Sequence, residues 1–185
     1  SIDTSKAEVA RQAIAAGAHI VNDVTGLEGD PKMAQVCADS NAGIVVMHMQ
    51  GTPQNMQNAP SYREVVEEVK NYLSSRIDQL LEQGIDLQSI CLDPGIGFGK
   101  TLEHNKCLLL NLQQLQVQDR PLMLGVSRKS MIGTVLKIED PLERDWGTLA
   151  LTAFGTHKGI KIHRVHAVKQ NVDAVRMTEA ILNQG

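Results

Sequence analysis

Six short apolar runs, each closing on polar residues, constrain this chain more than any other feature. They cover residues 1–4, 19–24, 43–49, 89–93, 121–127 and 161–166. Most are rich in β-branched residues, and several are continuous rather than alternating, the pattern of parallel strands covered on both faces. Helical patterns separate them. Residues 6–16 are Ala-rich and stop at Gly17, and 61–83 open with Ser61 and Glu64 in capping-box spacing and close at Gly84. Residues 102–115 read as a third helix, and 141–158 as a fourth with Pro141 in its first turn. The last, 168–182, carries Val172, Val175, Ile181 and Leu182 as an inner stripe. Strand and helix in alternation with short loops predict an α/β fold with a parallel sheet of βα units. No linker or low-complexity stretch interrupts residues 1–185, which read as a single domain. The longest loop, about 50–60, is either a substrate loop or a surface excursion.

The polar ends carry the functional information. In a parallel sheet all C-terminal strand ends lie on one face, which is the active-site face of a (β/α)₈ barrel or the crevice of an open sheet. Asp3, Asn22 with Asp23, His48, Asp93, Ser127 to Lys129, and Arg164 with His166 all fall at or just after such ends. Asp3, Asn22 and Asp93 suit a flat heterocycle with adjacent N–H donors, because a carboxylate accepts two parallel N–H bonds in one plane. Lys129, Arg164 and His166 suit a phosphate-like group or a developing oxyanion. The expected ligand therefore has a neutral hydrogen-bonding ring and a separate anionic part.

Other patterns carry less. Residues 93–101 resemble a phosphate-binding loop, but Pro94 stands where the first glycine is required, so the glycines are read as a tight turn that sets Phe98 beside a ligand. His19, His104, His157 and His163 have no ligand spacing and read as structural or solvent-facing, and Met47-His48-Met49 fits core packing better than catalysis. With 18 basic against 21 acidic residues and 3% aromatics, the chain offers neither a basic surface nor a stacking platform for nucleic acid. Three cysteines without a C-x-x-C pair argue against a disulfide scaffold or a thiolate zinc site, and for a reducing compartment. No apolar stretch approaches the roughly 18 residues of a membrane span. A cytoplasmic protein without membrane partners is the expectation.

Six segments then carry a family resemblance. Ser-Ile-Asp-Thr-Ser-Lys (1–6), Asn-Asp-Val-Thr-Gly (22–26), Met-His-Met-Gln-Gly-Thr-Pro (47–53), Asp-Pro-Gly-Ile-Gly-Phe-Gly-Lys (93–100), Gly-Val-Ser-Arg-Lys-Ser-Met-Ile-Gly (125–133) and Arg-Val-His (164–166) together resemble dihydropteroate synthase, in that family's order and spacing. The resemblance implies a TIM (β/α)₈ barrel transferase of folate biosynthesis. It would condense 6-hydroxymethyl-7,8-dihydropterin diphosphate with 4-aminobenzoate, would be a sulfonamide target, and would work as a cytoplasmic homodimer with Mg²⁺. By the same resemblance Asp3, Asn22, Met47, Asp93, Phe98, Gly125, Lys129 and Arg164 would hold the pterin. Ser127 and Arg128 would lie at the aminobenzoate, Asn22, Arg164 and His166 at the diphosphate, and Lys129, Arg164 and His166 would be catalytic.

Ala167 departs from the Asp usual in the family after Arg-Val-His. The family barrel has eight strands and this sequence shows about strands 3–8. The expectation is an N-terminally incomplete barrel, with no metal ligand of its own because the family's magnesium-binding loop follows the first strand. Two rival readings are a non-catalytic pterin-binding fragment and a pterin-dependent corrinoid methyltransferase, the latter opposed by the Ser-Arg-Lys and Arg-Val-His cations.

Overall fold

The computed structural model describes residues 1–182. Strands β1 (Ile2–Asp3), β2 (Ile20–Asp23), β3 (Gly43–Met47) and β4 (Ile90–Asp93) pair in that order, all parallel. Strands β5 (Met123–Leu124) and β6 (Ile162–His163) form a second parallel pair. A bridge between Leu92 and Leu122, with the Leu92 N–H donating to the Pro121 carbonyl at 2.9 Å, joins β4 to β5. Six parallel strands thus follow one another in chain order, and among the described residues nothing pairs with the outer edges of β1 and β6.

Helices α1 (Ala7–Ala15), α2 (Met33–Ser40), α3 (Val65–Glu82), α4 (Leu102–Leu110), α5 (Ser130–Leu136), α6 (Asp145–His157) and α7 (Val168–Leu182) fall between and after the strands. They cover one face of the sheet. Leu73, Ile77 and Leu80 of α3 are fully buried in one core with Ile44, Val46, Ile90 and Leu92. Val45, Met47 and Met123 are also buried but stand outside that core. This is the period-2 alternation of a strand: one set faces the helices, the other faces the concave side.

The strands fall within the predicted runs and are shorter at one or both ends, and the helices differ in instructive ways. The expected helix over 61–83 begins only at Val65. Ser61 makes no capping box. Its N–H donates to Gln50 Oε1 at 3.0 Å and its carbonyl accepts from Gln50 Nε2 at 2.9 Å, which pins it to the preceding loop. Glu68 instead accepts from the Arg63 and Glu64 N–H groups. The helix over 102–115 breaks at Asn111, whose side chain bonds the Cys107 carbonyl at 2.8 Å, and continues as a 3-10 turn over Leu112–Leu115. Pro141 does open a turn, a 3-10 segment over Pro141–Arg144 that leads into α6. Helices α2 and α5 were not foreseen.

The expected inner stripe of α7 is a correction. The buried residue there is Asn171, which accepts from Thr152 Oγ1 of α6 at 2.7 Å, while Val172, Ile181 and Leu182 are exposed. Val172 and Val175 line an open groove of about 530 Å³ beside β6.

Candidate active site

Alternation along the strands decides which polar residues meet. Register places Asp3 opposite Asn22, Asn22 opposite Val45, and Met47 opposite Asp93. Val45 and Met47 face the concave side, so Asp3, Asn22 and Asp93 do too, in stacked layers at the C-terminal strand ends. Asp23 falls on the other phase. Its Oδ1 accepts from the Thr25 N–H and hydroxyl, both at 2.8 Å, and its Oδ2 is buried with no partner, so it shapes the turn after β2 rather than the site. His163 likewise faces α6, with Nε2 3.2 Å from Thr156 Oγ1, and His104 completes a capping box with Thr101 at the start of α4. Both fit the structural role expected of them.

Asp93 lies at the centre and is 5% exposed. Its Oδ1 accepts the Gly95 N–H at 2.7 Å, whereas Oδ2 has no hydrogen-bond donor among the described residues. A Cβ at Gly125 would stand 3.5 Å from that Oδ2, so the missing side chain leaves the carboxylate accessible. Burial pushes the Asp93 carboxyl up; Lys129, the Gly95 N–H, Lys100 and Arg164 oppose the shift. At the rim, Asn22 Nδ2 donates to Asp3 Oδ1 at 2.6 Å, and Arg164 pairs with Asp3 Oδ2. Partial burial would raise the Asp3 carboxyl, but those two hydrogen bonds hold it below the usual carboxylate range.

The loop after β4 is a glycine turn, as expected. Gly95, Gly97 and Gly99 all have positive φ. The Gly97 N–H donates to Asn105 Oδ1 at 2.7 Å, and the Gly97 and Gly99 carbonyls accept from Gln57 Nε2 and Tyr62 Oη at 2.7 and 2.8 Å. The 50–60 segment is therefore tied to the site loop. Lys129 donates to the Ile96 carbonyl and lies 4.4 Å above the Phe98 ring centroid, a cation–π contact. Burial brings Lys129 down to about 8, against the attraction of Asp93 and with Arg164 adding repulsion.

The cationic side of the site forms where the β5 and β6 loops meet. Ser127 Oγ lies 2.9 Å from His166 Nδ1 and accepts the His166 N–H at 3.2 Å. A cavity of about 170 Å³ is lined by Gly125, Ser127, Lys129, Arg164, Val165 and His166. Arg128 does not reach it. Its φ is +59°, and its guanidinium makes two 2.8 Å bonds to Asp145 of α6. Among the described residues no three His, Cys, Asp or Glu side chains converge to hold a metal.

One residue central to this geometry, Lys100, was not singled out from sequence. Lys100, 4% exposed, donates to His48 Nδ1 and to the Phe98 carbonyl, both at 2.9 Å. Burial brings Lys100 down to about 7, with Asp93 opposing and Lys129 reinforcing the shift. His48 is held at about 3 by burial and by the Lys100 charge, so its ring is neutral. The one available signal was a histidine inside an apolar run, which needs a buried partner.

Residues 1–166 match the family described as pterin binding enzyme. The chain belongs to that family. It is 43% identical over 183 residues to dihydropteroate synthase of Escherichia coli, a match covering 99% of this chain and 64% of that protein. Its fold superimposes on the Yersinia pestis dihydropteroate synthase in a sulfonamide drug complex with a TM-score of 0.94 at 38% identity, covering 97% of this chain and 65% of the other. The Xanthomonas albilineans enzyme in complex with 7,8-dihydropteroate gives 0.91 at 37% identity, covering 99% and 68%. The chain thus has the TIM-barrel architecture of these enzymes in fragmentary form, and spans about 64% of the length of the Escherichia coli relative. Among the described residues no helix is long and apolar enough to cross a membrane.

Proposed function

We propose that this chain supplies the pterin and diphosphate sites of a dihydropteroate synthase. The observation that carries the reading is the free Oδ2 of buried Asp93, set between the Asp3–Asn22 pair and the Lys129–Arg164–His166 cluster. Asp93 accepts ring N–H groups of the pterin, Met47 and Phe98 line its faces, and Lys129 reaches its polar edge. Arg164 leaves Asp3 to lie over the ring and, with His166 and Asn22, takes the diphosphate. The aminobenzoate carboxylate lies near Ser127. Because Arg128 is committed to Asp145, its part there is to hold the turn that presents Ser127.

The 4-aminobenzoate amine attacks the pterin methylene carbon, a C–N bond forms, the C–O bond breaks, and the electron pair leaves on diphosphate as the amine loses a proton. No covalent intermediate with the protein is needed. The residues position the two substrates and stabilise the departing charge. The described residues do not fit a Mg²⁺ site, and no step of this reading passes through one; a Mg²⁺ requirement is proposed only of a longer protein.

A second reading, pterin binding without turnover, is favoured by one fact, the 64% span of the relatives. A homodimer is part of the proposal, supported by Leu142 in the 3-10 segment before α6 and Trp146 in its first turn, 67% and 80% exposed, and sedimentation equilibrium tests it. Free Cys37, Cys91 and Cys107 support a reducing, cytoplasmic setting; exposure of a tagged protein to compartment-specific thiol probes tests that.

Calorimetry tests the site. Asp93→Asn should weaken a pterin analogue by roughly 2–4 kcal/mol, because a charge-assisted pair becomes a mismatched amide. Arg164→Ala should abolish the preference for the diphosphate over the hydroxymethyl form while leaving some ring affinity. A wild-type chain indifferent to the diphosphate would remove the synthase reading. Affinity of Asp93→Asn within about threefold of wild type would remove the ring assignment.

A further inference from the structure

The proposed reaction makes no use of Lys100, although its ammonium is buried against the floor of the site. An ammonium has donors only, and this one meets three acceptors: His48 Nδ1 and the Phe98 carbonyl at 2.9 Å, and the His48 carbonyl at 3.4 Å. His48 is itself 7% exposed, with Tyr72 edge-on at 5.0 Å between ring centroids and Tyr62 at 6.1 Å. Its neutral ring must carry its proton on Nε2, because Nδ1 accepts from Lys100. The ammonium lies directly beneath Gly95. A Cβ built there would fall 3.3 Å from Lys100 Nζ, and the Gly95 N–H is the donor that fixes Asp93 Oδ1. Lys100, bonded to His48, also donates to the Phe98 carbonyl, the Phe98 N–H donates to the Gly95 carbonyl at 3.0 Å, and the Gly95 N–H meets the carboxylate proposed to face the pterin.

We propose that Lys100, seated on His48, is a positioning residue for pterin binding: it holds the turn beneath Gly95 and supplies the positive charge that keeps Asp93 an acceptor. The inference rests on the pterin-site reading above. A buried ammonium is an expensive way to fill space, and an apolar side chain would pack the same volume without desolvating a charge. What the ammonium adds is a field acting on Asp93. Lys100 is faced by His48 at the end of β3, Asp93 at the end of β4 and Lys129 before α5, while Asp93 is faced in addition by Arg164 after β6. Neither lysine bonds Asp93 directly among the described residues, so Oδ2 stays open to the ligand while both charges act on it.

The experiment is calorimetry of a pterin analogue lacking the diphosphate, from pH 5 to 9, on wild type and Lys100→Met. The expected result is binding about tenfold weaker at pH 7, ~1.4 kcal/mol, with the acid limb of affinity displaced to higher pH, because Asp93 without its neighbour ionises later. Equal affinity across the range overturns the inference. So does a uniform loss with the acid limb unmoved, since that is what a merely structural lysine gives.

Should Lys100→Met not fold, the wild type decides. The Lys100 ε-carbon resonance, assigned through its contact to the His48 ring, should titrate about one pH unit higher once pterin fixes Asp93 as a carboxylate. A titration unmoved by saturating pterin overturns the proposal. A wild type that binds no pterin defeats the reading of the site and this inference with it; a binding wild type with an unmoved variant defeats the inference alone.

Discussion

Gly95 has almost no room for a side chain. Its φ is +66°, and a Cβ would stand 1.8 Å from the His48 carbonyl oxygen, a backbone atom that cannot swing aside. Gly95→Ala should therefore cost more than about 3 kcal/mol by chemical denaturation and abolish pterin binding with it. Gly17 is the control, because its φ is +101° but nothing lies within 4 Å of the added Cβ. Gly17→Ala should cost only the backbone strain, about 1–2 kcal/mol. Equal losses at the two positions would show that the contact with His48 is not what fixes the turn. This scale also marks where the sequence was readable. Asp3, Asn22 and Asp93 could be placed because strand periodicity and parallel pairing put alternate residues on one face. Lys100 could not, since nothing local says that the lysine after Gly-Phe-Gly folds inward; only the tertiary approach of β3 to the turn buries it.

At the scale of elements, the turn after β5 is tied to α6 by the Arg128–Asp145 pair and by the Arg128 N–H, which donates to Thr148 Oγ1 at 3.1 Å. The Arg128 hydrogen bonds hold the Asp145 carboxyl below its ordinary value, 3.8. A depressed carboxyl contributes stability that is fully present above the unfolded value and is lost as pH falls through the lower folded one. Arg128→Ala should accordingly be less stable than wild type at pH 6, with the gap closing as thermal melts are taken below pH 3.8. A gap that persists at the acid end would mean that Arg128 works through packing. The same variant should leave pterin affinity nearly untouched, because its guanidinium points away from Asp93. The sequence grouped Arg128 with Ser127 and Lys129 because they are adjacent. Its left-handed backbone turns it outward, a reversal that residue type does not announce. Helices α2 and α5 are hard to read from sequence for a related reason: they are short, at 8 and 7 residues, and weakly patterned, and are held by packing of Met33 and Cys37, and of Met131 and Ile132, into the core.

At the scale of the molecule, six parallel strands in chain order leave β1 and β6 with edges that are unpaired among the described residues. The concave side opens as a cavity of about 520 Å³ that reaches Ile20, Cys91, Met123 and Ile162. Beside it run the apolar residues of α7 that the sequence assigned to the core and the structure leaves exposed. The stripe was read correctly as apolar, but among the described residues nothing buries it. Unpaired edges and contiguous apolar surface are liabilities in water. The 185-residue chain should therefore bind a hydrophobic reporter dye strongly and associate at micromolar concentration. A protein carrying the additional length of its relatives should lose most of that dye binding. Both should hold pterin, because Asp3, Asn22, Asp93 and Lys129 are common to them. Closure over the second substrate, which excludes water and completes the site, should belong to the longer protein alone. Dihydropteroate formation measured side by side separates these contributions. Turnover by the 185-residue chain at the longer protein's rate would show that the open edges cost the reaction nothing, whereas absence of pterin binding in both would unseat the site itself.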